Sequence, residues 1–275
     1  MTLSTIRNNP AKQKKVKTKK QKAIAATCAV AFWLLVWHVV SLCVGSELVL
    51  VSPVKVVQTL FTVIFDPDFF KTVWYSAARI LGGFFTALTL GTVLGWVASR
   101  FWVVETLLRP ITAVIKATPV ASFIILVLLW FSGKNLSVII SMLMVFPVIY
   151  MNVLEGIRSA DEKLLEMAQV FRLSVGKKLL YIYLPAVAPF FVSACSVSLG
   201  LCWKSGIAAE VIGTPDGSIG AVFYQAKIFL QTSELLAWTV VVVAVSVAFE
   251  KLFMFLLRLI LKKLKMEDVL NGKRA

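Results

Sequence analysis

Six long apolar stretches, separated by shorter polar segments, dominate the pattern of this chain. Each stretch approaches the roughly 20 residues that a helix needs to cross a bilayer. In lipid, backbone polar groups are satisfied only within helices or closed barrels. The pattern therefore predicts an all-α membrane protein with six transmembrane helices, over residues 23–44, 72–99, 111–131, 136–153, 186–211 and 235–257.

Proline marks the places where this pattern should bend. Pro53 can open a short surface helix over residues 54–65, because the first-turn N–H lacks a partner in any helix. A second surface helix is expected over residues 221–231. Pro119 should bend or break the third span. Broken helices inside membranes usually line a cavity, so Lys116 and Thr118, just before the break, are candidates for a substrate pathway.

Composition and charge support a membrane protein. The chain is 59% hydrophobic with a mean hydropathy of +0.86, which excludes an ordinary soluble domain. Its net charge of +15 resides mostly at the ends of spans, which disfavours a nucleic-acid surface and predicts two cytoplasmic termini. We expect a basic cytoplasmic tail (1–22), a first span with an extracytoplasmic segment (23–71), a core (72–258) and a second cytoplasmic tail (259–275).

Small residues recur every four positions along the second span. Gly83, Ala87, Gly91 and Gly95 fall on one stripe of a helix. Such a stripe lets helix backbones approach closely, so helix packing is the first interpretation. A groove wall for a small solute is the alternative.

Lys204 is a cation inside the fifth span, in the segment LGLCWKSGIAAE. An ammonium group at membrane depth is costly and usually faces a pore or a partner. Glu210 is six residues away, about 120° off on a helix, so the two should not pair directly. Two interpretations stay open: Lys204 lines the pathway of an anionic solute, or it reaches outward or pairs with another helix.

The longest polar island in the interior covers residues 155–189 and must lie outside the bilayer. Within it, Glu166, Ala168, Ile182, Leu184 and Pro185 match the offsets of the E-A-A…I-x-L-P pattern, with Met167 replacing the middle Ala. This segment resembles the EAA loop by which permeases of ATP-binding-cassette (ABC) importers contact their ATPase. Arg172 stands where that family usually has Gly. The chain could turn at Arg172, or within residues 174–176.

The resemblance extends to the permease family of nitrate, sulfonate, taurine and bicarbonate importers. It also uses the motifs Leu48 to Pro53, Arg79-x-x-x-Gly83-Phe84, Trp130 to Gly133, Glu155 to Arg158, Ala209-Glu210-Val211 and Gly217 to Gly220. It implies a type I ABC importer permease fold with a cytoplasmic coupling loop at 155–185. It also implies coupling roles for Ser159, Glu166, Ala168, Arg172 and Pro185.

The same resemblance implies partners for the chain. These are a second copy in a homodimer, two copies of a cytoplasmic ABC ATPase, and an extracytoplasmic solute-binding protein. The chain has no G-x-x-x-x-G-K-[ST] loop, so ATP and Mg are expected on the ATPase, with no cofactor here. The expected solute is a small anion. An uncharged heterocyclic vitamin precursor and a stand-alone secondary transporter are the alternatives.

An intramembrane enzyme is a rival class. The chain has one histidine, no H-E-x-x-H motif and four cysteines without metal-ligand spacing. We therefore expect neither catalytic residues nor a metal site.

Overall fold

The computed structural model describes residues 19–263, and within this range every regular element is helical. The predicted all-α fold class is confirmed. A π-helical turn, Leu179–Tyr183, joins α8 to α9. The helices are α1 (Lys19–Val44), α2 (Pro53–Ile64), α3 (Phe69–Arg100), α4 (Trp102–Ala117), α5 (Val120–Trp130), α6 (Gly133–Arg158), α7 (Glu162–Val170), α8 (Val175–Lys178), α9 (Leu184–Gly213), α10 (Ile219–Ile228) and α11 (Thr232–Lys263).

Five helical runs in the described range are long and apolar enough to cross a membrane. They lie in α1, α3, α6, the continuous run Val175–Gly213, and α11. The consecutive helices α4 and α5 together form a sixth candidate, bent by 110°. The break predicted at Pro119 is confirmed, because Thr118 and Pro119 adopt extended ψ angles of 133° and 137° between the two helices.

Several helices extend well past the apolar stretches that predicted them. The fourth span was expected to end at residue 153, but α6 continues to Arg158. The fifth was expected to begin at residue 186 behind Pro185, but the helical run begins at Val175. The helices are longer than the predicted spans because hydropathy reports the membrane core, whereas backbone hydrogen bonding continues into the aqueous ends.

The described residues up to Lys55 form one compact unit and those from Val56 onward form another. Within the first, the Trp37 indole N–H donates to the Val51 carbonyl (3.1 Å) and the Ser41 hydroxyl donates to that of Leu50 (3.2 Å). Glu47 and Lys55 form an ion pair at 3.6 Å. The segment after α1 is therefore folded back onto the end of that helix.

In the second unit, α6 packs against α3 and α9. The small residues of α3 face α6: a Cβ on Gly83 would lie 2.4 Å from the Val138 carbonyl, and one on Gly91 would lie 3.0 Å from Ile149. On α9, Gly206 gives similar close approach to Ile80 and Ser141. The core between these helices includes Ile80, Phe84, Val145, Ile149, Leu199 and Trp203.

Candidate functional site

The segment after α6 forms a short helix and a tight turn. Ser159 caps the end of α6, where its hydroxyl donates to the Gly156 carbonyl (2.8 Å). The short helix α7 starts at Glu162, because the Asp161 side chain caps it by accepting from the Lys163 N–H (2.9 Å).

The turn after α7 lies at Arg172, which decides between the two locations left open by the sequence. Arg172 has φ +49°, in the left-handed region. Its N–H donates to the Gln169 carbonyl (3.0 Å), and the Leu173 N–H donates to the Ala168 carbonyl (2.9 Å). This pair of bonds is the Schellman motif, which usually carries Gly at this position.

One side of α7 is anchored to the rest of the chain. Ala168 is fully buried and forms a small cluster with Ala160 and Ile182. Because Ile182 belongs to the π-helical turn, this cluster packs α7 against the start of the fifth span. The sequence pattern around Ala168 and Ile182 therefore corresponds to one packed joint.

The other side of α7 is exposed and partly apolar. Leu164 and Met167 are 43% and 48% exposed, and Phe171, after the helix, is 71% exposed. They follow i, i+3, i+7 spacing, so they share one face. Glu166 is exposed next to this face. An apolar face on a polar loop outside the membrane indicates a protein contact.

Pro185 lies inside the long helical run rather than at its start. Proline lacks an N–H and would leave an unpaired carbonyl in an α-helix. Here the preceding turn is π-helical, with the Leu184 N–H donating to the Leu179 carbonyl, and the helix continues through Pro185 to Gly213. The residues before Pro185 and α9 therefore form one continuous helical run.

A polar cavity of about 570 Å³ lies between α4, α6 and Phe190 of α9. The lining includes two arginines and two glutamates, Arg109, Arg158, Glu105 and Glu155. Arg158 and Glu105 form an ion pair across the cavity wall. Sequence reasoning missed this cavity, although Glu105 lies in the first turn of α4 and Arg158 lies in the last turn of α6, where polar residues can meet.

The structure places Lys116 and Thr118 beside the break between α4 and α5. The Lys116 ammonium contacts the Met151 sulfur at 3.5 Å, and Met151 lines the polar cavity. The Thr118 hydroxyl donates to the Val114 carbonyl (2.8 Å), one of the carbonyls near the end of α4. Lys116 is therefore near the cavity, whereas Thr118 caps a helix end.

Lys204 is exposed on α9, between the buried Trp203 and Ser205. Its neighbours along the same stripe are Ser193, Val197, Leu201 and Ala208, all exposed. In the range 19–263, Lys204 forms no ion pair with another helix. The Ser141 hydroxyl donates to the Cys202 carbonyl, whereas Lys116 contacts Met151, which lies about 15 Å further along the axis of α6.

Glu210 is a fully buried carboxylate that sequence reasoning did not select. The Ser76 hydroxyl of α3 donates to it at 2.6 Å, and the Gly220 N–H of α10 donates at 3.3 Å. The Ile219 N–H in turn donates to the Ser76 oxygen (2.9 Å). Glu210 therefore joins α3, α9 and α10 at one point. The signal available was an acidic residue inside an apolar span.

Residues 87–266 match the family described as the binding-protein-dependent transport system inner membrane component. The chain belongs to this family. The permease is accordingly a multi-pass inner membrane protein and a transport component, which confirms the family expected from the coupling-loop pattern.

Named relatives of the permease cover most of its length. It is 29% identical to the putative aliphatic sulfonates transport permease protein SsuC of Bacillus subtilis (strain 168), over 83% of each chain. It is 27% identical to the taurine transport system permease protein TauC of Escherichia coli (strain K12), over 78% of this chain and 80% of TauC. The nitrate import permease protein NrtB of Synechocystis sp. (strain ATCC 27184 / PCC 6803 / Kazusa) is 25% identical over 74% and 76%.

Proposed function

We propose that this permease forms the membrane pathway of an ATP-driven importer and receives mechanical work from a cytoplasmic ABC ATPase through α7. The proposal rests on the packed cluster of Ala160, Ala168 and Ile182 between α7 and the π-helical turn. The exposed side of α7 offers Leu164 and Met167 to a partner, whereas its buried side packs on the start of the fifth span. A push on α7 would therefore tilt α9.

Glu166, Arg172 and Ser159 belong to the same proposed coupling element in different ways. Glu166 is exposed beside the apolar face and is available to a cation or helix end of the ATPase. Arg172 closes α7 through its backbone, and Ser159 ends α6. Ala168 and Pro185 transmit the motion, one by burial and the other within the continuous helix.

Two copies of the chain would complete the pathway, each with its own ATPase subunit. The support is the composition of the exposed stripe on α9. Ser193 and Lys204 lie on this stripe, and Gly200 has no neighbouring atoms within 4 Å of an added Cβ. A stripe that contains a hydroxyl and an ammonium suits a polar passage between two copies better than lipid.

The proposed solute is a small molecule with an acid group, such as a sulfonate, taurine or nitrate, delivered by an extracytoplasmic binding protein. The relatives SsuC, TauC and NrtB, which are named as sulfonate, taurine and nitrate permeases, support this class. Lys204 on the open α9 face would attract the acid group, and Lys116 would meet it deeper in the pathway. The chain itself would need no cofactor, since ATP and Mg would be bound by the ATPase.

Uptake of labelled sulfonate, taurine and nitrate into proteoliposomes tests this function. The vesicles would contain the permease, its ATPase and the cognate binding protein. We expect uptake only when ATP is present on the side of the membrane that carries the ATPase. Uptake without ATP would instead support a secondary transporter.

The contribution of Lys204 is tested by Lys204→Met in the same vesicles. We expect uptake of the acidic solute to fall about tenfold, the scale of one lost charge contact. Lys251→Met is the matched control, because Lys251 is another exposed lysine within a span, on α11. Equal uptake by Lys204→Met and wild type, at equal amounts of protein, would remove Lys204 from the pathway.

A further inference from the structure

A second cavity, of about 420 Å³, lies at the end of α3 and is separate from the polar cavity described above. Arg100 and Ser99 of α3 line one wall. Lys178 of α8 lines another, together with Leu179 and Tyr183, the two ends of the π-helical turn. The cavity therefore opens at the joint between α3 and the start of the fifth span.

The charge of this cavity is one-sided. Its lining contains two cations, Arg100 and Lys178, and no acidic residue. Neither cation forms an ion pair within the described part of the chain. The first cavity differs, since its two arginines are balanced by two glutamates. The second cavity is thus complementary to an anion.

Its depth corresponds to a membrane surface. The run from Tyr183 to Gly213 is helical throughout and about 45 Å long, which matches a bilayer with its headgroups. With Gly213 at one surface of the bilayer, Tyr183 would lie at the headgroups of the other surface. Trp96 and Tyr183 both line the cavity, and such aromatic residues are enriched at membrane–water interfaces.

An apolar track leads from the cavity toward the membrane centre. Leu90, Val93 and Trp96 of α3 are 44%, 53% and 51% exposed and lie at helical spacing on one side of α3. An acyl chain could follow this track while its headgroup occupies the cavity. A free anion would use the cations but not the track.

We propose that this cavity binds an anionic phospholipid, with the headgroup phosphate between Arg100 and Lys178 and an acyl chain along Leu90 and Val93. Basic pockets between transmembrane helices on the cytoplasmic side are suited to such headgroups. The bound lipid would connect the end of α3 to α8, next to the Arg172 turn. The lipid site itself does not depend on the function proposed above. The assignment of the site to the cytoplasmic leaflet, and any effect of the bound lipid on coupling to the ATPase, do rest on that function.

Lipid retention by the full-length permease tests the site. The protein is purified from nanodiscs of phosphatidylcholine with about 20% phosphatidylglycerol, an anionic lipid, and bound lipid is counted by native mass spectrometry. We expect R100Q/K178Q to retain about tenfold less phosphatidylglycerol than wild type, since each cation contributes appreciably near a charged surface. The matched control is K163Q/K177Q, which removes two exposed lysines from α7 and α8 that do not line the cavity.

Melting in nanodiscs of pure phosphatidylcholine separates lost binding from lost folding, and we expect both double variants to melt like wild type there. Equal phosphatidylglycerol retention by R100Q/K178Q and wild type would overturn the proposal. Stabilisation by inorganic phosphate in place of phosphatidylglycerol would overturn it too, in favour of a free-anion site. Cross-linking of Met167→Cys to the ATPase is the independent readout of coupling, so a failure of lipid binding is distinguishable from a failure of the proposed function.

Discussion

At the scale of the residue, Arg172 shows how the chain uses an unfavourable backbone conformation. An L-residue with a side chain pays on the order of 1 kcal/mol to adopt the left-handed region. The Schellman hydrogen bonds to Gln169 and Ala168 hold Arg172 there nevertheless. The position of the turn is thus fixed by the end of α7 and the partial burial of Leu173 rather than by residue preference.

Arg172→Gly should keep the turn, and Arg172→Val should disturb it. Glycine removes the strain, whereas a β-branched residue at φ +49° is a strong outlier. We expect the valine variant to be cleaved faster by trypsin at Lys177 and Lys178. The reason is that the free energy needed to open its turn is lower by on the order of 1 kcal/mol. Equal cleavage of the valine and glycine variants would contradict a left-handed turn at this residue.

Glu210 supports a second prediction at this scale. Glu210→Ala leaves the Ser76 hydroxyl and the Gly220 N–H buried without their acceptor. Such a loss costs about 1–3 kcal/mol, so the permease should melt at a lower temperature. Glu210→Gln keeps an acceptor oxygen and should melt between the alanine variant and wild type. An alanine variant as stable as wild type would show that this junction does not stabilise the fold.

These two residues also show what the sequence could and could not provide. The turn was limited to two locations, because Arg172 stands where the EAA pattern usually has Gly and residues 174–176 were the alternative. Glu210 belongs to the Ala209-Glu210-Val211 motif, but its partner Ser76 is 134 positions away in the chain. A contact of that separation depends on how α3 and α9 pack, which one sequence without the fold does not reveal.

At the scale of the element, α3 carries two adjacent glycines with opposite surroundings. A Cβ on Gly83 would lie 2.4 Å from the Val138 carbonyl of α6, whereas one on Gly82 would meet nothing within 4 Å. The stripe predicted from Gly83, Ala87, Gly91 and Gly95 thus lies along α6, and the neighbouring face of α3 is open.

Gly83→Ala should therefore destabilise the helix pair, and Gly82→Ala should not. A methyl group at Gly83 would push against backbone, at a cost of about 1–3 kcal/mol. Alanine at Gly82 is a good helix former in open space. The melting temperature of each purified variant in the same detergent measures this. A Gly82 variant that melts below the Gly83 variant would contradict the packing of α3 on α6.

The elements themselves were predicted unevenly, for physical reasons. The break at Pro119 followed from proline chemistry and the helix locations followed from hydropathy. The π-helical turn at Leu179–Tyr183 was not predicted. Its hydrogen bonds reach five residues back and accommodate Pro185, and the residue types in this segment do not indicate that arrangement. The helix α7 starts at Glu162 because Asp161 supplies its N-cap.

At the scale of the whole molecule, one continuous helical run connects the α7 joint to the open face of α9. At the α7 joint, Ala168 packs near Ile182. The run continues to Gly213 and carries Lys204 on its open face. Hydropathy alone separated the coupling segment from the fifth span. In the structure the end of the coupling segment continues into the fifth span as one helical run, along which we propose that force is transmitted.

Cross-linking at position 167 tests whether α7 contacts the ATPase. Met167→Cys and Phe229→Cys each replace an exposed residue, at opposite ends of the permease, in a chain whose native cysteines are replaced. The complex with its ATPase is treated with a short bifunctional thiol reagent and the products are identified by mass spectrometry. We predict a permease–ATPase product from Met167→Cys and none from Phe229→Cys. The reverse pattern would contradict the proposal that α7 receives the work of ATP hydrolysis.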